Sequence, residues 1–255
     1  MRHNHAIYAV RIALGLLLDA GYMRGFAVTL KSFLSYNSWF NHDLVIIDAG
    51  LTDKQRAEIT EHYPKTSFTK PRNAYHSTPF DRTPQRLRQT YFTLEAFRLT
   101  EYDRVVFLDC DLVIKGDISE IFNQSAQFSA VRCYQRSADR LVNEFNSGVF
   151  VVNKPAISEA VYSSLIALSH VGKNSPDQNI LNKYFYGGVN YLPKEYNVEK
   201  RLLESPRHRD MIDCAKILHF VGEKPWQQHA EGSREAKYTG LETIWHQWEK
   251  APWPK

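Results

Sequence analysis

Continuous apolar runs alternate with segments of helical period through the first 110 residues, and this alternation leaves few folds open. DRVVFLD (103–109) is the clearest run, with four consecutive apolar residues between charged flanks. AIYAVRI (6–12) and DLVIIDAG (43–50) read as further buried strands, and TSFTK (66–70) as another. Between them, GYMRGFAVTLKSFLSYN (21–37) places Phe26, Leu30, Phe33 and Leu34 on one helical face. A second helix begins at Thr52 and closes at Tyr63-Pro64. A third is expected over about 84–100, after a loop from Asn73 to Pro84. Runs apolar on both sides, joined by helices, predict an α/β fold: a mostly parallel sheet with helices on both faces. The second half adds strands at FSAVRCY (128–134) and SGVFVVN (147–153), a helix after Pro155 and another near 177–185. An irregular stretch from Gly187 to Pro225 carries short strands at YLP (191–193) and KILHF (216–220). No repeat or linker divides the 255 residues, so a single domain is expected.

Hydrophobic residues are 43% and charged residues 24% of the chain, which excludes disorder, collagen and coiled coil as descriptions of the whole. The net charge of +4 is too mild for a dedicated nucleic-acid binder without a recognisable motif, yet it suits a phosphate-bearing substrate. Three cysteines without a CxxC argue against a disulfide framework and for a reducing compartment. The apolar stretch Ala6–Leu18 is interrupted by Arg11 and closed by Asp19, short of the ~20 residues a membrane helix needs. It reads as a first strand and the loop after it.

Chemistry concentrates in four short motifs. LDCD (108–111) sits at the C-terminal end of the best strand, where open α/β sheets bind ligands. Asp109 and Asp111 can both reach one hard cation there, although an Asp pair can also simply cap a turn. HFVGEKPW (219–226) offers an imidazole and a lysine after a short strand. His219 could complete a manganese-type shell and Lys224 hold a phosphate; a loop histidine and a solvated lysine are the plainer alternative. FNSGVFVVN (145–153) puts Asn146, Ser147 and Gly148 at a strand start, suited to hydroxyl recognition. PDQNILN (176–182) puts Asp177 and Gln178 at a helix N-terminus, where a bare cap is the rival account.

In their order along the chain, LTEYDRVVFLDCDLVIKGDISEIF, FNSGVFVVN, DQNILN and HFVGEKPW resemble the glycogenin-like retaining glycosyltransferases, family eight of the GT-A fold. The segment GYMRGFAVTLKSFLSYN resembles that family's first helix, and the likeness covers roughly residues 6–226. It implies a Rossmann-like single domain, with a nucleotide-binding half over about 1–112, an acceptor-side half over about 113–226 and a tail over 227–255. It also implies that Asp109, Asp111 and His219 ligate manganese or another divalent cation, with Lys224 on the donor diphosphate. Asn146, Ser147, Asp177 and Gln178 would face the donor and acceptor sugars, Asp177 and Gln178 as the catalytic candidates. Asp19, Tyr22, Arg86, Arg88, Asp109, Cys110, Asn146, Ser147, Gly222 and Lys224 form the donor-binding set expected on this basis.

Three features depart from the family pattern. YFTL places Thr93 where a Lys or Arg is usual; Arg86, seven residues back on the same face of an α-helix, lies about 10 Å away at ~1.5 Å per residue. VRCYQR (131–136) is basic where an Asp is common, and LLLDAGY leaves only Asp19 and Tyr22 comparable to the usual nucleotide-contacting segment. The expectation is a metal-dependent retaining transferase moving a hexose from a nucleotide sugar, UDP-linked, to a saccharide acceptor in bacterial surface polysaccharide or lipooligosaccharide synthesis. The partners are the nucleotide sugar and the saccharide, with no nucleic acid. The location is cytoplasmic, at most peripheral at the inner membrane face. The aromatic, basic end WHQWEKAPWPK is expected to pack rather than to touch a membrane. A sugar nucleotidyltransferase is the first alternative, though the glycine-rich basic loop it needs after strand one is missing. A non-catalytic nucleotide-sugar- or carbohydrate-binding relative is the second, and a polyanion binder using Arg82, Arg86, Arg88, Arg132, Arg136 and Arg140 the third.

Overall fold

The computed structural model describes residues 9–72, 88–170, 176–229 and 234–254. Strands β1 (Ile12–Leu18), β2 (Asp43–Asp48), β3 (Thr66–Thr69), β4 (Arg104–Leu108), β6 (Phe128–Gln135), β7 (Arg140–Asn153) and β8 (Asn190–Leu192) form one sheet in the order β3-β2-β1-β4-β7-β6-β8. The β1–β2, β1–β4, β2–β3 and β6–β8 pairs are parallel, and β7 runs antiparallel to both β4 and β6. A second sheet orders β5 (Leu112–Ile114), β10 (Ile217–His219) and β9 (Val198–Glu199) as β5-β10-β9.

Both faces of the large sheet are covered, which is why its strands read as unbroken apolar runs. On β4, Val106 and Leu108 face a core shared with Phe26, Leu30 and Phe33 of α1 (Met23–Tyr36). Val105 and Phe107 face the opposite core, with Leu94 and Phe97 of the 3-10 helix Gln89–Arg98, Leu165 of α3 (Glu159–Ser169) and Ile180 of α4 (Asp177–Tyr184). Helix α2 (Asp53–His62) starts with a full capping box between Thr52 and Gln55. The final helix, α5 (Thr239–Lys250), buries Trp245 against Phe220 and Trp226.

Three expectations need correction. Of the expected first strand over 6–12, residues 6–8 lie outside the described residues, Ala9–Arg11 lie outside the sheet, and the described pairing begins at Ile12. Arg11 stays at the surface because its guanidinium bonds Asp43 at 3.0 Å and its amide bonds Asp103 at 2.9 Å. The apolar run beyond it, including Gly15, forms the strand itself. The segment before β4 is a 3-10 helix, so the 3.6-residue spacing that linked Arg86 to Thr93 does not apply; Arg86 and Arg82 lie outside the described residues. Thr93 is buried. Strand β7 starts seven residues earlier than SGVFVVN suggested, because RLVNEFN extends it into a hairpin with β6. The tail packs as expected: Lys31 Nζ donates to the carbonyls of Glu249 and Ala251, and Trp253 stacks on His62. No helix among the described residues is long and apolar enough to cross a membrane.

Candidate active site

The antiparallel β10–β5 register, His219 opposite Leu112, brings the end of one strand beside the start of the other. The Phe220 amide donates to Asp111 O at 3.0 Å and the Asp109 amide to Gly148 O at 2.8 Å, so backbone bonds gather three motifs distant in sequence. As a result, one ligand atom each from Asp109, Asp111 and His219 lies within 4.8 Å of the others. His219 Nε2 is 3.1 Å from Asp111 Oδ1 and 3.7 Å from Asp109 Oδ2. Gly148 is there because nothing larger fits: a Cβ would lie 2.4 Å from His219 Cε1 and 2.7 Å from Asp109 Oδ2.

His219 Nδ1 lies 2.8 Å from Asn197 Oδ1, which requires the Nδ1 proton and leaves the Nε2 lone pair facing the carboxylates. Three electron-rich atoms thus converge with a positive charge wanted between them, and two carboxylates with an imidazole suit a manganese-type cation. The second nitrogen of a ligating histidine is normally held in this way. Asn197 Nδ2 donates to Asn146 Oδ1 at 2.9 Å, and Asn146 Nδ2 to Gln178 Oε1 at 3.0 Å. This row of amides links the histidine to α4. Desolvation at the base of the cleft, and then the Asp111 carboxylate, push Asp109 up to about 7. Against the same desolvation, the Lys224 ammonium holds Asp111 well below the usual carboxylate range.

Lys224 Nζ lies 2.5 Å from Asp111 Oδ2 and 5.9 Å from the centre of the Tyr22 ring. Gly222, at φ +86°, turns the chain from β10 into this lysine. The Tyr22 ring also meets Trp226 edge-on at 5.4 Å. Asp19 accepts from the Gly21 and Tyr22 amides at 2.7 and 3.0 Å, fixing the turn into α1. Cys110 is buried and its thiol donates to Leu17 O at 3.2 Å. Asp19, Tyr22, Asp109, Cys110, Asp111 and Lys224 line one cavity of about 170 Å³, together with Gln89 and Thr90. Arg88 stands just before those two residues and does not itself line the cavity.

Asp177 is 6% exposed; burial raises its pKa, while hydrogen bonds from the Ser147 and Thr90 hydroxyls oppose the rise. It ties the 3-10 helix, β7 and α4 together beside Gln178. The sequence reading singled out Gly148 within FNSG but missed Asn197, Gln89 and Thr90; Asn197 is one polar residue in an irregular stretch.

The fold and the site together define a GT-A glycosyltransferase. The model for glycosyl transferase family 8 matches residues 13–230, and the chain belongs to that family. The lipopolysaccharide 1,2-glucosyltransferase of Escherichia coli (strain K12) is 27% identical over 244 residues, covering 84% of this chain and 72% of that protein. Glycogenin-1 of Caenorhabditis elegans is 30% identical over 209 residues, covering 76% of this chain but 44% of that one, so the chain spans less than half of the glycogenin it matches. The galactosyltransferase LgtC, solved with donor and acceptor sugar analogs, superposes with a TM-score of 0.66 at 20% identity, over 91% of this chain and 95% of its own. At that identity the likeness concerns the fold.

Proposed function

We propose that the chain is a metal-dependent retaining hexosyltransferase that takes its sugar from a UDP-linked donor and passes it to a saccharide acceptor of a bacterial surface polysaccharide or lipooligosaccharide. The observation that carries this reading is the convergence of Asp109, Asp111 and His219 within 4.8 Å beside Lys224, where both aspartates line one cavity with Asp19 and Tyr22. Bound by those three residues, a divalent cation would neutralise charge developing on the departing diphosphate. Lys224 meets the same phosphates as a point charge, and the Tyr22 face suits a flat base. Asn146 and Gln178, joined by their amides, present hydrogen-bonding groups to the sugar. Gln178 lies beneath the ring and stabilises positive charge on it. The acceptor hydroxyl attacks on the face the diphosphate leaves and gives its proton to the leaving oxygen. The closed hydrogen-bond set of Asp177 favours this route over its attack as a covalent nucleophile.

A panel of nucleotide sugars tested for manganese-dependent hydrolysis examines this reading without an identified acceptor. Turnover should appear with one UDP-hexose, vanish in EDTA and fall by orders of magnitude in Asp111→Asn, with the melting temperature little changed. Gln178→Ala should slow turnover without abolishing it, and the product should keep the donor's anomeric configuration by NMR. Full activity in EDTA, or an inverted product, would contradict the mechanism.

A further inference from the structure

Apart from the cavity beside Lys224, a groove of about 780 Å³ opens between the β6–β7 hairpin, α4 and the segment entering β8. Its volume falls in the range of ~300–1,000 Å³ typical of ligand sites. Tyr186, on its wall, is 89% exposed, the highest value among the large apolar side chains described. In the same groove, the Arg132 guanidinium lies 4.1 Å from the Tyr191 ring centre, and the Tyr191 hydroxyl donates to Asn143 O. Lys194 Nζ in turn holds Arg132 O at 2.9 Å. This wall is therefore fixed before any ligand arrives. Glu144 adds an acceptor, Lys183 a donor, and Asn179 both.

An open aromatic face beside a fixed Arg132–Tyr191 wall, with groups of both hydrogen-bonding senses around it, matches a carbohydrate, which has apolar C–H faces and a rim of hydroxyls. An apolar ligand would leave these polar groups unpaired. The groove also shares a rigid element with the site. Asn182 bonds both backbone groups of Phe145, at 2.9 and 2.8 Å, and clamps α4 onto β7; one turn earlier Gln178 bonds Asn146. From Gln178 to Lys183 the helix rises only ~7.5 Å.

We infer that this groove is a saccharide subsite holding the acceptor's sugar units remote from the reacting hydroxyl. The word acceptor rests on the transferase reading; the binding itself does not. The probe is deacylated lipopolysaccharide core oligosaccharide, titrated calorimetrically into the full chain, with methyl glucoside as the single-sugar comparison. The oligosaccharide should bind and methyl glucoside should not. Tyr186→Ala should weaken oligosaccharide binding at least ten-fold and Tyr186→Phe should restore it. Neither variant should change the melting temperature or manganese-dependent UDP-hexose hydrolysis. No binding by the wild type, equal binding by Tyr186→Ala, or loss of hydrolysis in that variant would overturn the inference. A chain that binds the oligosaccharide through Tyr186 yet hydrolyses no nucleotide sugar would keep the groove and lose the transferase reading.

Discussion

Gly148 stands where two motifs touch. Its carbonyl holds the Asp109 amide, its own amide donates to Asn146 Oδ1 at 3.0 Å, and its missing side chain leaves room for two of the three proposed cation ligands. Gly148→Ala puts a methyl group into atoms that are themselves held: His219 by Asn197, Asp109 by its backbone. Manganese affinity should drop at least ten-fold and hydrolysis about a hundred-fold, while circular dichroism keeps the native spectrum. Metal titration of the purified variant checks this, and wild-type affinity would mean that the neighbours give way freely. At this scale the sequence was most informative where a residue type is chemically costly to misplace. Two carboxylates, a histidine and a lysine in ordered motifs stood out against their surroundings. Asn197 did not, because a single amide does the same work as many surface amides until its partners are known.

Among the elements, the junction of β2 and α2 shows how one side chain can set a crossover. Asp48, buried at the end of β2, accepts from the Gly50 and Leu51 amides at 2.9 and 2.7 Å and from Arg56 Nε at 2.7 Å. Gly50, at φ +120°, gives the turn a conformation that L side chains rarely adopt. Burial alone would raise the Asp48 pKa, but these donors bring it below its ordinary value. A carboxylate depressed in the folded state contributes stability above its unfolded pKa of ~3.9, lost as pH falls through the lower folded value. Asp48→Asn should therefore cost about 1–3 kcal/mol at neutral pH and progressively less below pH 4, as urea unfolding at a series of pH values would show. Elements with long apolar runs were legible, as β2 and β4 show. Among the short strands, β3, β8 and β10 were expected, while β5 and β9 were not. Strands β5 and β9 have three and two residues, too few for a period to register. The 3-10 geometry of Gln89–Arg98 comes from tertiary packing of Tyr91, Leu94 and Phe97, which a helical pattern alone does not specify.

Across the whole molecule, a buried ionic cluster joins the end of the chain to the site. Lys200, fully buried, donates to Glu223 O at 2.7 Å and lies 3.6 Å from Glu242 of α5. His229 bridges Glu223 and Glu242 at 3.0 and 3.2 Å. The carbonyl that Lys200 holds immediately precedes Lys224, so α5 and Lys224 share one anchor. Lys200→Met leaves Glu242 buried with His229 as its remaining ion-pair partner among the described residues and should cost about 3 kcal/mol in urea unfolding. It should also raise the donor KM several-fold more than it lowers kcat; matched changes in the two constants would make the cluster purely structural. The antiparallel register that seats His219 beside Asp111 has a further consequence in the order of synthesis. Strand β10 fills the middle of its sheet and is the last strand among the described residues, arriving more than a hundred residues after Asp109 and Asp111. A nascent chain therefore carries its two carboxylates side by side for most of translation without the imidazole. If the three residues hold a cation as proposed, its full ligand set forms only once β10 is made, and a ribosome-bound chain halted before residue 217 should bind manganese no better than a bare pair of acids.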